Sequence, residues 1–312
     1  MTQPTNTFSS YDAIGNREDL SDIIKIVDQE KTPFMSSIAG TTKATARLHE
    51  WQTDSLDSAS ATNAVVEGDD VVGDAITPTA RKGNRIQISE KAVTVTDLQN
   101  MLDSAGRDEE LAYQINRQSR SIKRDMEASL LANNAAVVGN DTTAAELGGL
   151  VAWVNTNVST DGTAGDDGTT AAIDGTPRAF TEDLLKDVLK SGADSGADFS
   201  DILVGSFNKQ VFSTFNGGST FNIDASDKKI VNTIDVYVGD FGQMKVHFSP
   251  QQRGRDCLIV DRNLVNVAYV QNLSMDELAK TGRTEKRMMN VYYTLEVLNE
   301  KGTGAVLDLT TS

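Results

Sequence analysis

Between Ala105 and Asn134 the apolar side chains keep helical time. Leu111, Ile115, Ile122, Met126 and Leu130 stand four and seven apart, which places them on one stripe of a single helix. No proline interrupts the run. Asp108, Glu109 and Glu110 crowd its first turn, where the helix dipole favours negative charge, and Gly139 is the expected stop. At 1.5 Å per residue such a helix is about 40 Å long. A single apolar stripe on so long a rod must lie across another element, most simply a sheet.

On either side the period changes. Upstream, Leu20, Ile23, Ile24 and Val27 suggest a short helix, Pro33 breaks it, and TPFMSSI reads as a short apolar peg. ARLHEWQTDSL and NRIQISEKAVTVTD then alternate, with Ile86/Ile88 and Val93/Val95 two apart, as half-buried strands require. The Asp-, Gly- and Val-rich excursion between them would be poorly stable as an isolated two-stranded hairpin and makes better sense packed on a partner. Downstream, GGLVAWVNTNVS holds a short helix or strand, and residues 159–179 form a Gly/Asp/Thr loop. Thr181 caps a helix with Leu184, Leu185, Val188 and Leu189 on one face and Gly192 as its stop. FSDILVG is a buried strand, Ser206 opens a second helix, and IDVYVGDFGQMKVHFSP is a hairpin turning at Gly239–Gly242. In the tail, CLIVD and LVNVAYV are strands and LSMDELAK is a short helix. Met289, Val291, Tyr293, Leu295 and Val297 share one strand face, and a turn at Glu300-Lys301-Gly302 leads into AVLDLTT. The tail strands are expected to pack under the long helix. No repeat or coiled-coil heptad run is evident.

Composition sharpens this picture. The 312 residues suit one large domain or two moderate ones, and 38% hydrophobic with 6% aromatic content supports only modest cores. That balance suits a chain that buries part of its surface against copies of itself, and equally a bland, soluble, acidic protein. The formal charge of −16 argues against a histone-like or repressor-like grip on DNA, which needs clustered Lys and Arg. An acidic inner surface would let a dense genome slide past, although solubility alone explains the same charge. The N-terminus lacks the basic and apolar regions of a secretory signal, and no run reaches the roughly 20 apolar residues of a membrane span. A cytoplasmic protein is expected.

Catalytic chemistry finds little footing. There is no phosphate-binding G-x-x-x-x-G-K-[ST] loop and no G-x-G-x-x-G after a strand. His49-Glu50 lacks a zincin's second histidine, GADSG is out of step with a nucleophile elbow, and two His with one Cys make zinc improbable. Cys257, in an apolar run, reads as a buried inert thiol. No catalytic, cofactor or metal residues are assigned. DGTAGDDG at 161–168 has oxygens suited to calcium but lacks EF-hand spacing, so a solvated loop is the simpler reading. The basic side chains worth locating are Arg117, Arg120, Lys123 and Arg124 on the helix, with an i,i+4 pair expected between Lys123 and Glu127, and Arg81, Lys82 and Arg85 on the excursion's return strand. Each set is either a solvated face or a contact with acidic neighbours or packaged DNA.

KTPFMSSI, then the basic strand KGNRIQISEKAVTVT, then AGRDEELAYQ…IKRDMEASLLAN, in that order, resemble the major capsid proteins of tailed bacteriophages with the Hong Kong 97 type (HK97-like) fold. The resemblance runs from about Lys31 to the C-terminus, the helix being its most specific part. It implies an α+β chain with an N-terminal arm (1–40), an extension loop that is a long β-hairpin (41–97), a P-domain segment with the spine helix over about 105–136 (98–144), an A-domain (145–250) and P-domain strands (251–312). It also implies pentamers and hexamers closing into an icosahedral shell around double-stranded DNA held without sequence-specific contacts, assembly in the host cytoplasm, a separate scaffolding protein, a portal protein and in some cases a decoration protein. In the fold's namesake Lys–Asn isopeptide bonds join subunits. Lys82 with Asn290 or Asn299 could be imagined in those roles, but no local context here matches. An encapsulin-like compartment shares the fold, and an acidic secreted surface or adhesin protein is a remoter alternative.

Overall fold

The structure is a computed structural model and describes residues 28–70, 73, 75–102, 109–215 and 235–312. The helical pattern at Leu20–Val27 lies outside those residues. After an exposed stretch at 28–31, Phe34–Ile38 coils into one helical turn, the peg, with Phe34 and Ile38 buried. There follow β1 (Gly40–Lys43), β2 (Leu48–Thr53), β3 (Ala80–Arg85), β4 (Gln87–Thr96), α1 (Asp97–Met101), α2 (Glu110–Leu130), α3 (Leu150–Trp153), β5 (Asn157–Ser159), α4 (Glu182–Ser195) and β6 (Asp201–Val204). Then come α5 (Ser206–Phe212), β7 (Val236–Gly239), β8 (Gly242–Phe248), β9 (Cys257–Val260), β10 (Val265–Glu277), β11 (Thr284–Val297) and β12 (Thr303–Val306).

The strands make a four-stranded sheet ordered β1-β10-β11-β4, a six-stranded sheet ordered β5-β12-β9-β6-β8-β7, and the separate hairpin β2-β3. Helix α2 lies on β4 and β11 as its single stripe requires. Leu111 packs on Val93 and Val95 with Ile115 half-buried beside them, while Ile122, Met126 and Leu130 enter the main core. Lys91 on β4 fastens the helix through Asp125 at 2.7 Å.

Three boundaries differ from the sequence reading. Helix α2 has 21 residues, about 32 Å, and stops at Leu130; its expected start at 105–108 lies outside the described residues. The stop comes early because Asn133 and Asn134 turn their amides onto the carbonyls of Ala172 and Leu147, drawing the chain away. Gly139 is needed instead for close approach, since a Cβ there would meet the Ala145 backbone at 2.7 Å. Helix α4 runs through Gly192 and ends at Gly196, whose φ of 83° supplies the left-handed cap. LSMDELAK contributes to strand β10, not a helix, because Ser274–Glu277 pair with Arg287–Asn290 of β11.

The tail strands also divide between sheets. β10 and β11 lie in the sheet beneath α2, but β9 and β12 join the six-stranded sheet. All four positions of each are buried, as a strand covered on both faces demands. Leu258 and Ala305 face the core shared with α2, whereas Cys257, Ile259 and Val306 face a second core under α4 and α5.

Candidate assembly surfaces

The hairpin carries a run of exposed apolar side chains. β2 and β3 pair from Leu48↔Arg85 to Thr53↔Ala80, and their base is fixed firmly. Asn84 is fully buried; its amide nitrogen donates to the carbonyls of Gly148 and Leu295, and its oxygen accepts from the Gly148 and Arg85 amides. Trp51 stacks on Trp153 at 5.4 Å, and His49 reaches Glu296 at 3.2 Å. Beyond Thr53 the ladder ends. From Asp54 to Thr79 the sequence has six acidic side chains and no basic one. Leu56, Val65, Val66 and Ile76 there are 99%, 84%, 76% and 94% exposed. Large exposed apolar groups on an acidic excursion make this a candidate contact surface.

The basic candidates separate. Arg81 pairs across the hairpin with Glu50 at 3.2 Å, and Lys82 pairs with Asp167 of the Gly/Asp loop, tying hairpin to loop. Arg85 lines a groove of about 570 Å³ with Arg47, Ile86, Ile88, Val270 and Tyr292. On α2, Arg120 binds Glu30 at 2.9 Å and Arg124 binds Asp28; Arg117 and Lys123 are exposed. The expected Lys123–Glu127 pair does not form. Glu127 points into the core, where its carboxylate accepts the amides of Phe34 at 2.7 Å and Met35 at 2.9 Å. Burial raises its pKa to about 7 despite those two hydrogen bonds. The sequence signal was available in the helical phase, since Glu127 sits beside Met126 on the buried side.

Other buried polar groups organise rather than react. Asp201 is fully buried and binds His247, Ser200 and both nitrogens of Arg262's fork. Burial raises its pKa, but these hydrogen bonds prevail and bring it to about 2. Asp308, at φ 59°, accepts the amides of Asp161, Gly162 and Gly175, the Thr160 hydroxyl and the Arg255 guanidinium. It thereby folds the Gly/Asp loop around itself. The loop's own acids turn outward to other partners: Asp161 to the Thr176 amide, Asp166 to Asn155, and Asp167 to Lys82. Cys257 is fully buried, which drives its thiol pKa far up and leaves it inert. Of the imagined isopeptide partners, Asn290 is hydrogen-bonded to Gln271, Ser274 and Asp276, and Asn299 caps the turn at Glu300.

A long helix laid on a four-stranded sheet, a second sheet sharing its core, and a hairpin anchored at its base on that core define an α+β capsid fold of the Hong Kong 97 type. The Cyanophage A-1(L) capsid asymmetric unit has it too, at 11% identity over 95% of this chain and 98% of that one, with a TM-score of 0.68. So does the SrpI encapsulin of Synechococcus elongatus PCC 7942, at 12% identity over 92% and 94% of the two chains and a TM-score of 0.54. At such identities the likeness concerns the fold alone. Sequence goes further: residues 3–310 match the SU10 major capsid protein family, and the chain belongs to it. It is similar to a major capsid protein of Escherichia phage Phieco32, 37% identical over 135 residues. That match takes in 43% of this chain and 38% of the relative, so it spans well under half of the relative's length.

Proposed function

We propose that this chain is the repeating subunit of an icosahedral phage shell, closing as pentamers and hexamers around double-stranded DNA. Its role is mechanical. The observation that carries the reading is the hairpin: an exposed, acidic, partly apolar tip on a base locked by Asn84 and Trp51. Such an arm latches a neighbouring copy. Each contact can be modest, because closed symmetry makes every subunit hold several neighbours at once. The segments 1–40 and 41–97 serve as arm and extension loop, and 98–144 with 251–312 as the rigid P-domain apart from the strands lent to the other sheet. The region 145–250 is the capsomer centre. Packaged DNA is held without base readout, since Arg120, Arg124, Arg81 and Lys82 are engaged with this chain's own acids. A separate scaffolding protein, a portal and in some shells a decoration protein are the partners, with assembly in the host cytoplasm.

The test is to replace residues 55–78 with a short turn and to image wild-type and variant particles by cryo-electron microscopy. The wild-type chain is expected in closed icosahedral shells, and the variant as a folded subunit that makes none. Normal shells from the variant would sink the latch, and a wild-type chain that stays monomeric would sink the shell reading.

A further inference from the structure

Glu127 is a fully buried carboxylate near the C-terminal end of α2, and both its oxygens are committed to the backbone of another segment. Among the described residues, that segment, 28–38, is held to α2 in two ways. Its outer part is pinned by Asp28–Arg124 and Glu30–Arg120, exposed pairs of the kind that contribute little. Its inner part is the peg, where Phe34 and Ile38 fill the core and Glu127 takes the amides of Phe34 and Met35.

The groups facing Glu127 do not neutralise it. From β10 the Tyr269 phenol lies near enough to feel its charge. β11 brings Tyr293, whose hydroxyl is spent on Ser89 and Gln87. The peg has no titratable side chain, with Lys31 exposed three residues before it. On α2 itself Lys123 is exposed, Arg124 is bound to Asp28 and Asp125 to Lys91. Among the described residues no ion pair to Glu127 is formed.

We propose that Glu127 is a proton-linked latch, whose protonation strengthens docking of the 28–38 segment and whose ionisation loosens it. The sign follows from where the charge sits. With the peg seated, burial raises the carboxyl pKa from 4.5 to about 7. With the peg lifted, the group meets water and reverts to an ordinary value. The seated form therefore holds a proton more tightly, so Glu127's contribution to docking is greatest below pH 4.5 and is lost as pH rises through about 7. Between pH 6 and pH 8 the docking constant falls about tenfold. Acid seats this segment, contrary to the intuition that protonating a hydrogen-bonding carboxylate releases its partner. Its consequence for shells rests on the subunit reading above, but the linkage is a property of the single chain.

The test is hydrogen exchange on the full-length subunit between pH 6 and pH 8, corrected for intrinsic exchange. Protection of the Phe34 and Met35 amides should fall about tenfold across that range, while protected amides of β11 stay constant and Glu127→Gln flattens the profile. A flat wild-type profile, or the same slope in Glu127→Gln, overturns the proposal. If Glu127→Gln fails to fold, the wild-type comparison of peg with β11 still decides. Shell formation is not read, so failure here leaves the assembly question to its own experiment.

Discussion

At the scale of single residues, Asn84 and Asp201 are fully buried polar groups whose side-chain atoms all find partners. Asn84 uses three of its four close hydrogen bonds to bind the hairpin base to β11 and to the turn before α3, and the fourth accepts the amide of its neighbour Arg85. Asp201 does the same for the six-stranded sheet, tying the start of β6 to β8 through His247 and to Arg262 beyond β9. Asp201→Asn keeps the shape but leaves Arg262 without a charge partner. A loss of about 2 kcal/mol is expected, below the full value for a buried pair because Arg262 is partly exposed. The pH dependence has a definite sign. With the native pKa lowered from 3.8 to about 2, the stabilisation is complete above pH 4 and is lost as pH falls towards 2. Urea denaturation should show a wide gap between wild type and Asp201→Asn at pH 6 and a narrower one at pH 3. An unchanged gap would mean that the carboxylate's charge contributes nothing.

At the scale of elements, periodicity was the reliable signal and partnership was not. The stripe from Leu111 to Leu130 named the helix and its buried face, and the alternation from Met289 to Val297 named the inner face of β11. What spacing could not show was which element lies opposite. Lys123 and Glu127 stand four apart, yet core burial and two peg amides outweigh a surface pair worth a few tenths of a kcal/mol. Arg120 and Arg124 look like a free basic face until Glu30 and Asp28, about ninety residues away, are brought to them. Glycine misleads in the same way. Gly192 resembles a stop, but its role is to admit Phe199, whose ring lies 2.1 Å from where a Cβ would be. Gly192→Ala therefore sets two effects against each other. Helix propensity gains up to about 1 kcal/mol, while overpacking the second core costs about 1–3 kcal/mol. Net destabilisation is expected, with a lower Tm. In a Phe199→Ala background the clash disappears and the same substitution should become neutral or stabilising, a coupling that a double-mutant cycle reads directly. Additive effects would show that the ring does not set the requirement for glycine.

At the scale of the whole molecule, the chain's return matters more than its order. The six-stranded sheet is drawn from widely separated stretches: β5 near residue 158, β6 near 202, β8 near 245, and the tail strands β9 and β12. β12 is the join, pairing parallel with β5 and antiparallel with β9. Asp308 just beyond it gathers the Gly/Asp loop, and Leu307 and Leu309 close one core each. This dependence was only half visible in the sequence, because an unbroken apolar run announces a strand covered on both faces without saying which strands flank it. It makes two excisions of the chain unequal. Removing residues 303–312 takes away an interior strand, uncovers β5 and β9, and leaves buried backbone groups without partners, each costing about 1–3 kcal/mol. Several such losses together exceed the roughly 5–15 kcal/mol that holds a typical protein folded, so this truncation should abolish the cooperative thermal transition. Shortening the hairpin between residues 55 and 78 removes more of the chain, but its described residues there are all exposed, and Tm should move by no more than a few degrees. Calorimetry of the two variants separates the parts of the molecule that make the subunit from the hairpin tip proposed to latch another subunit. A truncated tail that still melts cooperatively would show that the two cores stand without β12.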